Sequence, residues 1–191
     1  MLNSPGDDIT TCSDCLLVID PGGNDRYDFT GQGKASLPLS ILIDSGGDDT
    51  YESRDGGIAN GFFSVGILVD SKGNDRYETR NFGLGAGYFG IGLLWDMQGD
   101  DQYFCGVYCL GAGGFGIGIV KDEEGNDLYH SAELAQGFGF TQGVGMLLDA
   151  SGNDVYYAGG VILHHPLYSN AYRSLSQGFA IGMRGEEKGG G

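Results

Sequence analysis

Short apolar runs recur along the chain, each closed by an aspartate. They are Leu17-Val18-Ile19 before Asp20, Ile41-Leu42-Ile43 before Asp44, Ile67-Leu68-Val69 before Asp70, Leu93-Leu94-Trp95 before Asp96, Ile119-Val120 ahead of Lys121 and Asp122, and Met146-Leu147-Leu148 before Asp149. Runs this short, aliphatic and partly β-branched, predict strands. Two positions before the aspartate stand Val18, Leu42, Leu68, Leu94, Val120 and Leu147, never a polar residue, whereas the next position admits Trp95 and Lys121. With a side-chain period of two, the first position points inward and the second outward.

Each aspartate opens the same pattern, Asp-x-x-Gly-(Asn/Asp)-Asp-x-Tyr. The units run from Asp20 to Tyr27, Asp44 to Tyr51, Asp70 to Tyr77, Asp96 to Tyr103, Asp122 to Tyr129 and Asp149 to Tyr156, and their leading aspartates are 24, 26, 26, 26 and 27 residues apart. Gly-(Asn/Asp)-Asp is turn chemistry, since these residues tolerate positive φ or hydrogen-bond their own backbone. A second short strand is predicted to start at the tyrosine. A glycine-rich stretch follows, as in 83–92, 111–118, 136–145 and 176–182, where alternating glycine suits a strand lying against a close backbone or a narrow core.

Two or three short strands with their turns in about 25 residues make one coil of a parallel β-helix. The expectation is an all-β fold: a β-solenoid of about six coils, one 24–27 residue repeat per coil, forming a single domain over residues 1–191. Turn signals in every unit and glycine at every second position argue against a helical repeat. The stretch from Asn3 to Thr10 matches the motif loosely, and 186–189 falls where a seventh leading aspartate and its glycine would lie. The chain therefore reads as part of a longer array or as an array with degenerate ends. Residues 157–175, with His164-His165-Pro166, interrupt the pattern and predict an irregular insertion looping off one face.

Thirty-eight glycines and four prolines, placed regularly among aliphatic and aromatic residues, exclude collagen and a flexible linker. A net charge of −16 argues against nucleic acid and anionic membrane surfaces as partners and makes cations the natural counter-species. No apolar run approaches the roughly 18 residues of a membrane span, and no export signal is visible at the start, so membrane insertion is not expected. The cysteines form two close pairs, Cys12 with Cys15 and Cys105 with Cys109. Without a nearby histidine, local disulfides or buried thiols suit them better than zinc.

Stacking the coils produces two columns of acid. Asp25, Asp49, Asp75, Asp101, Asp127 and Asp154 form one, Asp20, Asp44, Asp70, Asp96, Asp122 and Asp149 the other. Neighbours in a column would lie one strand spacing apart, about 4.8 Å. Like charges at that distance repel by roughly 1 kcal/mol in water and about 3 to 4 kcal/mol at an effective dielectric near 20. A hard divalent cation between coils would remove the repulsion. Calcium fits better than magnesium, because it accepts six to eight carboxylate and carbonyl oxygens whereas magnesium keeps its waters. All twelve aspartates are candidate metal ligands. Alternatively the side chains only cap turns. Tyr27, Tyr51, Tyr77, Tyr103, Tyr129 and Tyr156 predict an aromatic stack closing the core.

Gly22-Gly23-Asn24-Asp25, Gly73-Asn74-Asp75, Gly125-Asn126-Asp127 and Gly152-Asn153-Asp154, each followed by x-Tyr, resemble the repeat of RTX proteins, the calcium-binding parallel β-roll. The resemblance implies calcium held between adjacent coils by Asp25, Asp49, Asp75, Asp101, Asp127 and Asp154 with neighbouring carbonyls, in secreted toxins, proteases and adhesins. It is limited to the turn, since that family repeats every nine residues.

Three function classes follow. The first is a non-catalytic, calcium-stabilised structural or adhesive module of a secreted or surface protein, with calcium as its cofactor. The second is a polysaccharide-acting enzyme, for which His164, His165 and Arg173 in the insertion are the irregular candidates. The third is surface recognition of a glycan or cell-surface partner, with Trp95 and the tyrosines as platforms. End-to-end self-association through uncapped coils is a further expected property.

Overall fold

The computed structural model describes residues 1–13, 15–29 and 37–182. It is a β-solenoid with no helix among the described residues. Three sheets of parallel strands run along its axis.

The apolar runs form an aliphatic sheet in the order β16 (Val144–Asp149), β13 (Ile117–Asp122), β10 (Ile91–Trp95), β7 (Val65–Val69), β4 (Leu39–Asp44), β2 (Leu17–Asp20). The tyrosines lie in a second sheet ordered β1 (Ile9–Thr11), β3 (Arg26–Phe29), β5 (Thr50–Asp55), β8 (Arg76–Asn81), β11 (Gln102–Val107), β14 (Leu128–Ser131), β17 (Val155–Ala158). The glycine-rich stretches contribute only two residues per coil to the third sheet: β6 (Gly61–Phe62), β9 (Gly87–Tyr88), β12 (Gly113–Gly114), β15 (Gly139–Phe140) and β20 (Ala180–Ile181). From β4 to β20, five coils each place one strand in every sheet. The interruption after Tyr156 is an antiparallel hairpin, β18 (Ile162–His164) and β19 (Tyr168–Arg173), whose register shifts between Leu163 and His164.

The register matches the repeat residue for residue. Val18, Leu42, Leu68, Leu94, Val120 and Leu147 pair in line, and all but Leu147, in the last coil, are buried. Opposite them the tyrosines stack with ring centroids 4.8 Å apart. Tyr27 to Tyr129 are fully buried, and only Tyr156 at the end of the stack is exposed. This is the aromatic column the repeat predicts, with ring spacing set by the strand spacing.

Where the aliphatic and glycine sheets meet, the core is one backbone thick. A Cβ on Gly118 would lie 2.1 Å from the Ala112 carbonyl oxygen, so this inward position must be glycine. The corners leading into and out of the third sheet hold non-glycine residues at positive φ. Examples are Leu84 and Leu110 at 50° and Phe63, Phe89 and Phe115 at 48–52°. Each costs about 1–2 kcal/mol. Repetition offsets the cost: Leu84 and Leu110 are fully buried, and the three phenylalanines stack at 4.9 and 4.7 Å.

The loose match at the start is a half-coil. Leu2 bridges to Ile19, Thr10 pairs with Tyr27, and Asn3 stands beside Asp20 at the end of the leading column. The Asn3 Nδ2 donates to Asp20 Oδ2 at 2.6 Å and to Thr10 Oγ1 at 2.8 Å, so the stack ends on an amide instead of another charge. Residues 186–189 lie outside the described residues. Both cysteine pairs, Cys12–Cys15 and Cys105–Cys109, are disulfides.

Candidate metal site: the aspartate columns

The turn between the aliphatic and tyrosine sheets repeats three side-chain ladders, and each has a different job. Leading aspartates face inward at the ends of the aliphatic strands. Asp20, Asp44, Asp70 and Asp96 each accept, on Oδ1, the backbone N–H two residues on, at 2.9–3.2 Å. Their Oδ2 atoms accept from tyrosine hydroxyls: Tyr27 donates to Asp20 and Asp44, Tyr51 to Asp70, and Tyr77 to Asp96. Asp122 receives both Tyr103 and Tyr129, and Asp149 receives Tyr156. Four leading aspartates thus cap their own turns and all six anchor the tyrosine stack, while Asp122 Oδ1 is buried without a hydrogen-bond partner.

The middle turn residues form an exposed ladder of Asp7, Asn24, Asp48, Asn74, Asp100, Asn126 and Asn153. Each backbone N–H from Asn24 onward donates to the side-chain oxygen of the preceding coil at 2.8–3.2 Å. Acid and amide alternate up to Asn126, so no two charges are neighbours. Amide donation from Asn126 lowers the pKa of Asp100. Sequence reasoning passed over this ladder, although the Asn/Asp alternation at one motif position is its signal.

The last turn aspartate runs the opposite way. The backbone N–H groups of Asp8, Asp25, Asp49, Asp75, Asp101 and Asp127 donate to Oδ1 of Asp25, Asp49, Asp75, Asp101, Asp127 and Asp154 in the following coil, at 2.5–3.0 Å. For these aspartates turn capping therefore operates between coils. It uses only one oxygen of each carboxylate. The Oδ2 atoms of Asp25, Asp49, Asp75, Asp101 and Asp127 are buried and have no hydrogen-bond partner.

The carboxylates that carry these free oxygens converge with the leading column. Asp8, Asp20 and Asp25 bring one carboxylate oxygen each within 4.8 Å of the others, and so do Asp25, Asp44 and Asp49; Asp49, Asp70 and Asp75; Asp75, Asp96 and Asp101; and Asp101, Asp122 and Asp127. That separation is about twice a calcium–oxygen distance. No basic side chain intervenes: among the described residues the ion pairs are made by Glu52, Glu78, Glu123 and Glu133, none by a column aspartate.

Burial without a counter-charge favours the protonated form of the inner aspartates. Loss of solvation, reinforced by neighbouring carboxylates, pushes Asp75 and Asp101 up to about 10 and Asp49 up to about 8. Asp127 and Asp70 rise to about 7 for the same first cause, and Asp25 to about 6. An anionic oxygen left unpaired and dry costs several kcal/mol, so each of these groups takes either a proton or a cation. The donors are all hard oxygens, the ligand class of hard cations and not of soft metals. Repeated buried aspartate groups that could hold a metal ion are a property of the fold.

The residues suggested for other chemistry go elsewhere. Arg173 pairs with the buried Glu133, tying the hairpin to the solenoid. The His164 ring tilts against Tyr168. Trp95 is half-buried, its ring 4.5 Å below the Lys121 ammonium and its Nε1 donating to Glu123.

No protein-family model matches the chain, no curated protein matches it, and no solved structure matches it. The likeness to RTX repeats accordingly rests on the turn residues and the aspartate stacks.

Proposed function

We propose that the chain is a non-catalytic structural module, a rigid acidic rod whose coils are bridged by calcium along the aspartate columns, in a secreted or surface protein. Five unpaired, buried Oδ2 atoms at one repeated position carry this reading. Three observations support a structural role. The leading column is engaged in capping and tyrosine binding, the repeat is unbroken through all six turns, and the departures from it are confined to a half-coil and one hairpin. Calcium is preferred over magnesium because a buried site forces direct ligation, and magnesium is reluctant to shed its waters. An extracellular setting, where calcium modules work at Kd values of about 10⁻⁴–10⁻³ M, suits sites assembled from three carboxylates.

Thermal melts in chelator, calcium and magnesium test the proposal. Metal bound only by the folded chain stabilises it by about 2.7 kcal/mol at a hundredfold excess over Kd. Calcium should raise Tm in a concentration-dependent way while equimolar magnesium leaves it nearly unchanged. A melt indifferent to calcium at pH 8 sinks the proposal and leaves the aspartates as turn caps.

A further inference from the structure

The strands of the aliphatic sheet are apolar on both faces. Their inward side chains make the core. Their outward side chains make three columns along the rod, the central one being Leu17, Ile41, Ile67, Leu93, Ile119 and Met146 in unbroken register. The flanking columns are aliphatic except for Trp95 and Lys121, and Lys121 is the one charged side chain among them. Among the described residues this face is open: Ile91, Ile117, Val144 and Leu148 are 41%, 37%, 45% and 48% exposed. The stacked Phe63, Phe89 and Phe115 continue it around one corner. By contrast, the outward face of the tyrosine sheet carries ion pairs such as Arg26–Glu52 and Arg76–Glu78.

A parallel strand with aliphatic residues on both faces is the pattern of a strand covered on both faces. Six strands at about 4.8 Å spacing and five residues at about 3.3 Å give a flat footprint of roughly 470 Å². That is the size of the largest apolar patch on a typical monomer, about 300–600 Å², and such patches are often functional. We propose that this face is a homodimer interface, with two copies of the chain packing aliphatic sheet on aliphatic sheet about a twofold axis.

Two such footprints come to about 940 Å², close to the roughly 1,000 Å² that a specific association requires. Charge points the same way. The aspartate columns sit in turns at the strand ends, and the charged residues of the tyrosine sheet face away. A twofold therefore keeps the acidic turns of both copies at the rim of the contact. The net charge of −16 disfavours an anionic lipid surface. Because the contact is isologous it closes at two copies, whereas end-to-end stacking would continue into longer species.

Sedimentation equilibrium of the full chain over about 1–100 µM tests this. The expected result is a monomer–dimer equilibrium that stops at two. The variant I91T/L93T/I119T keeps β-propensity and leaves the core untouched, so it should retain the circular dichroism spectrum and associate at least tenfold more weakly. If the triple variant fails to fold, the single substitution Leu93→Thr gives the same readout with a smaller shift. A wild-type chain that stays monomeric throughout overturns the proposal. So does a dimer unaffected by these substitutions, growth beyond two copies, or a monomer that floats with phosphatidylcholine vesicles, which would assign the face to lipid.

Discussion

Asp75 gives its two oxygens different surroundings. Oδ1 accepts the Asp49 N–H at 2.7 Å, while Oδ2 has no partner. Replacing Asp75 with Asn keeps an acceptor for that N–H and removes the charge that burial penalises. Without metal at pH 8, D75N should melt higher than the parent chain, and its gain in Tm on adding calcium should be smaller, because Asp75 belongs to two of the carboxylate groups. Paired melts in chelator and calcium check both directions. Tyr77 makes the complementary case. Its hydroxyl donates to Asp96 Oδ2 at 2.6 Å in a fully buried position. Tyr77→Phe preserves the ring stack but removes that donor, at an expected cost of about 1–3 kcal/mol in urea unfolding.

At the scale of the coil, the turn depends on backbone passing close to backbone. Gly73 has φ 148°, and a Cβ there would lie 1.6 Å from the Gly47 carbonyl oxygen of the coil before it. Gly73→Ala should therefore cost more than about 3 kcal/mol, or prevent folding, since it adds steric displacement to backbone strain. At Gly6 an added methyl would meet nothing within 4 Å, so Gly6→Ala should stay within about 0.5 kcal/mol. Denaturant midpoints of the pair separate close approach from a general glycine effect. The coil was legible in the sequence because one motif states the turn, the inward aliphatic residue and the tyrosine together. Three features were less so. Two-residue strands such as β9 and β12 are too short to leave a periodic pattern and are held by neighbours in other coils. The hairpin β18–β19 lies among residues that share no motif with the repeat. The outer aliphatic face was hidden because a strand apolar on both faces shows no alternation, so only the inward position, never polar, stood out.

For the whole molecule, acid sets how stability varies with pH, and the sign depends on metal. Burial raises Asp49 to about 8, Asp70 and Asp127 to about 7, and Asp75 and Asp101 to about 10, against 3.8 when unfolded. Between those limits the folded chain binds more protons than the unfolded one, so stability without metal falls as pH rises. It is fully present below about pH 4 as far as these groups are concerned, and drains away from there until each group passes its folded value at about 7 to 10. Calcium requires the deprotonated carboxylates, so its stabilising increment grows over the same interval. In chelator, Tm should therefore decline from pH 5 to pH 9. In millimolar calcium the decline should flatten or reverse, and the two curves should converge near pH 4 to 5, where protons hold the columns. A chelator curve that rises from pH 5 to 9 would mean the columns are ionised and stabilised by something other than protons or calcium. Parallel curves in the two buffers would mean that protons alone neutralise the rod.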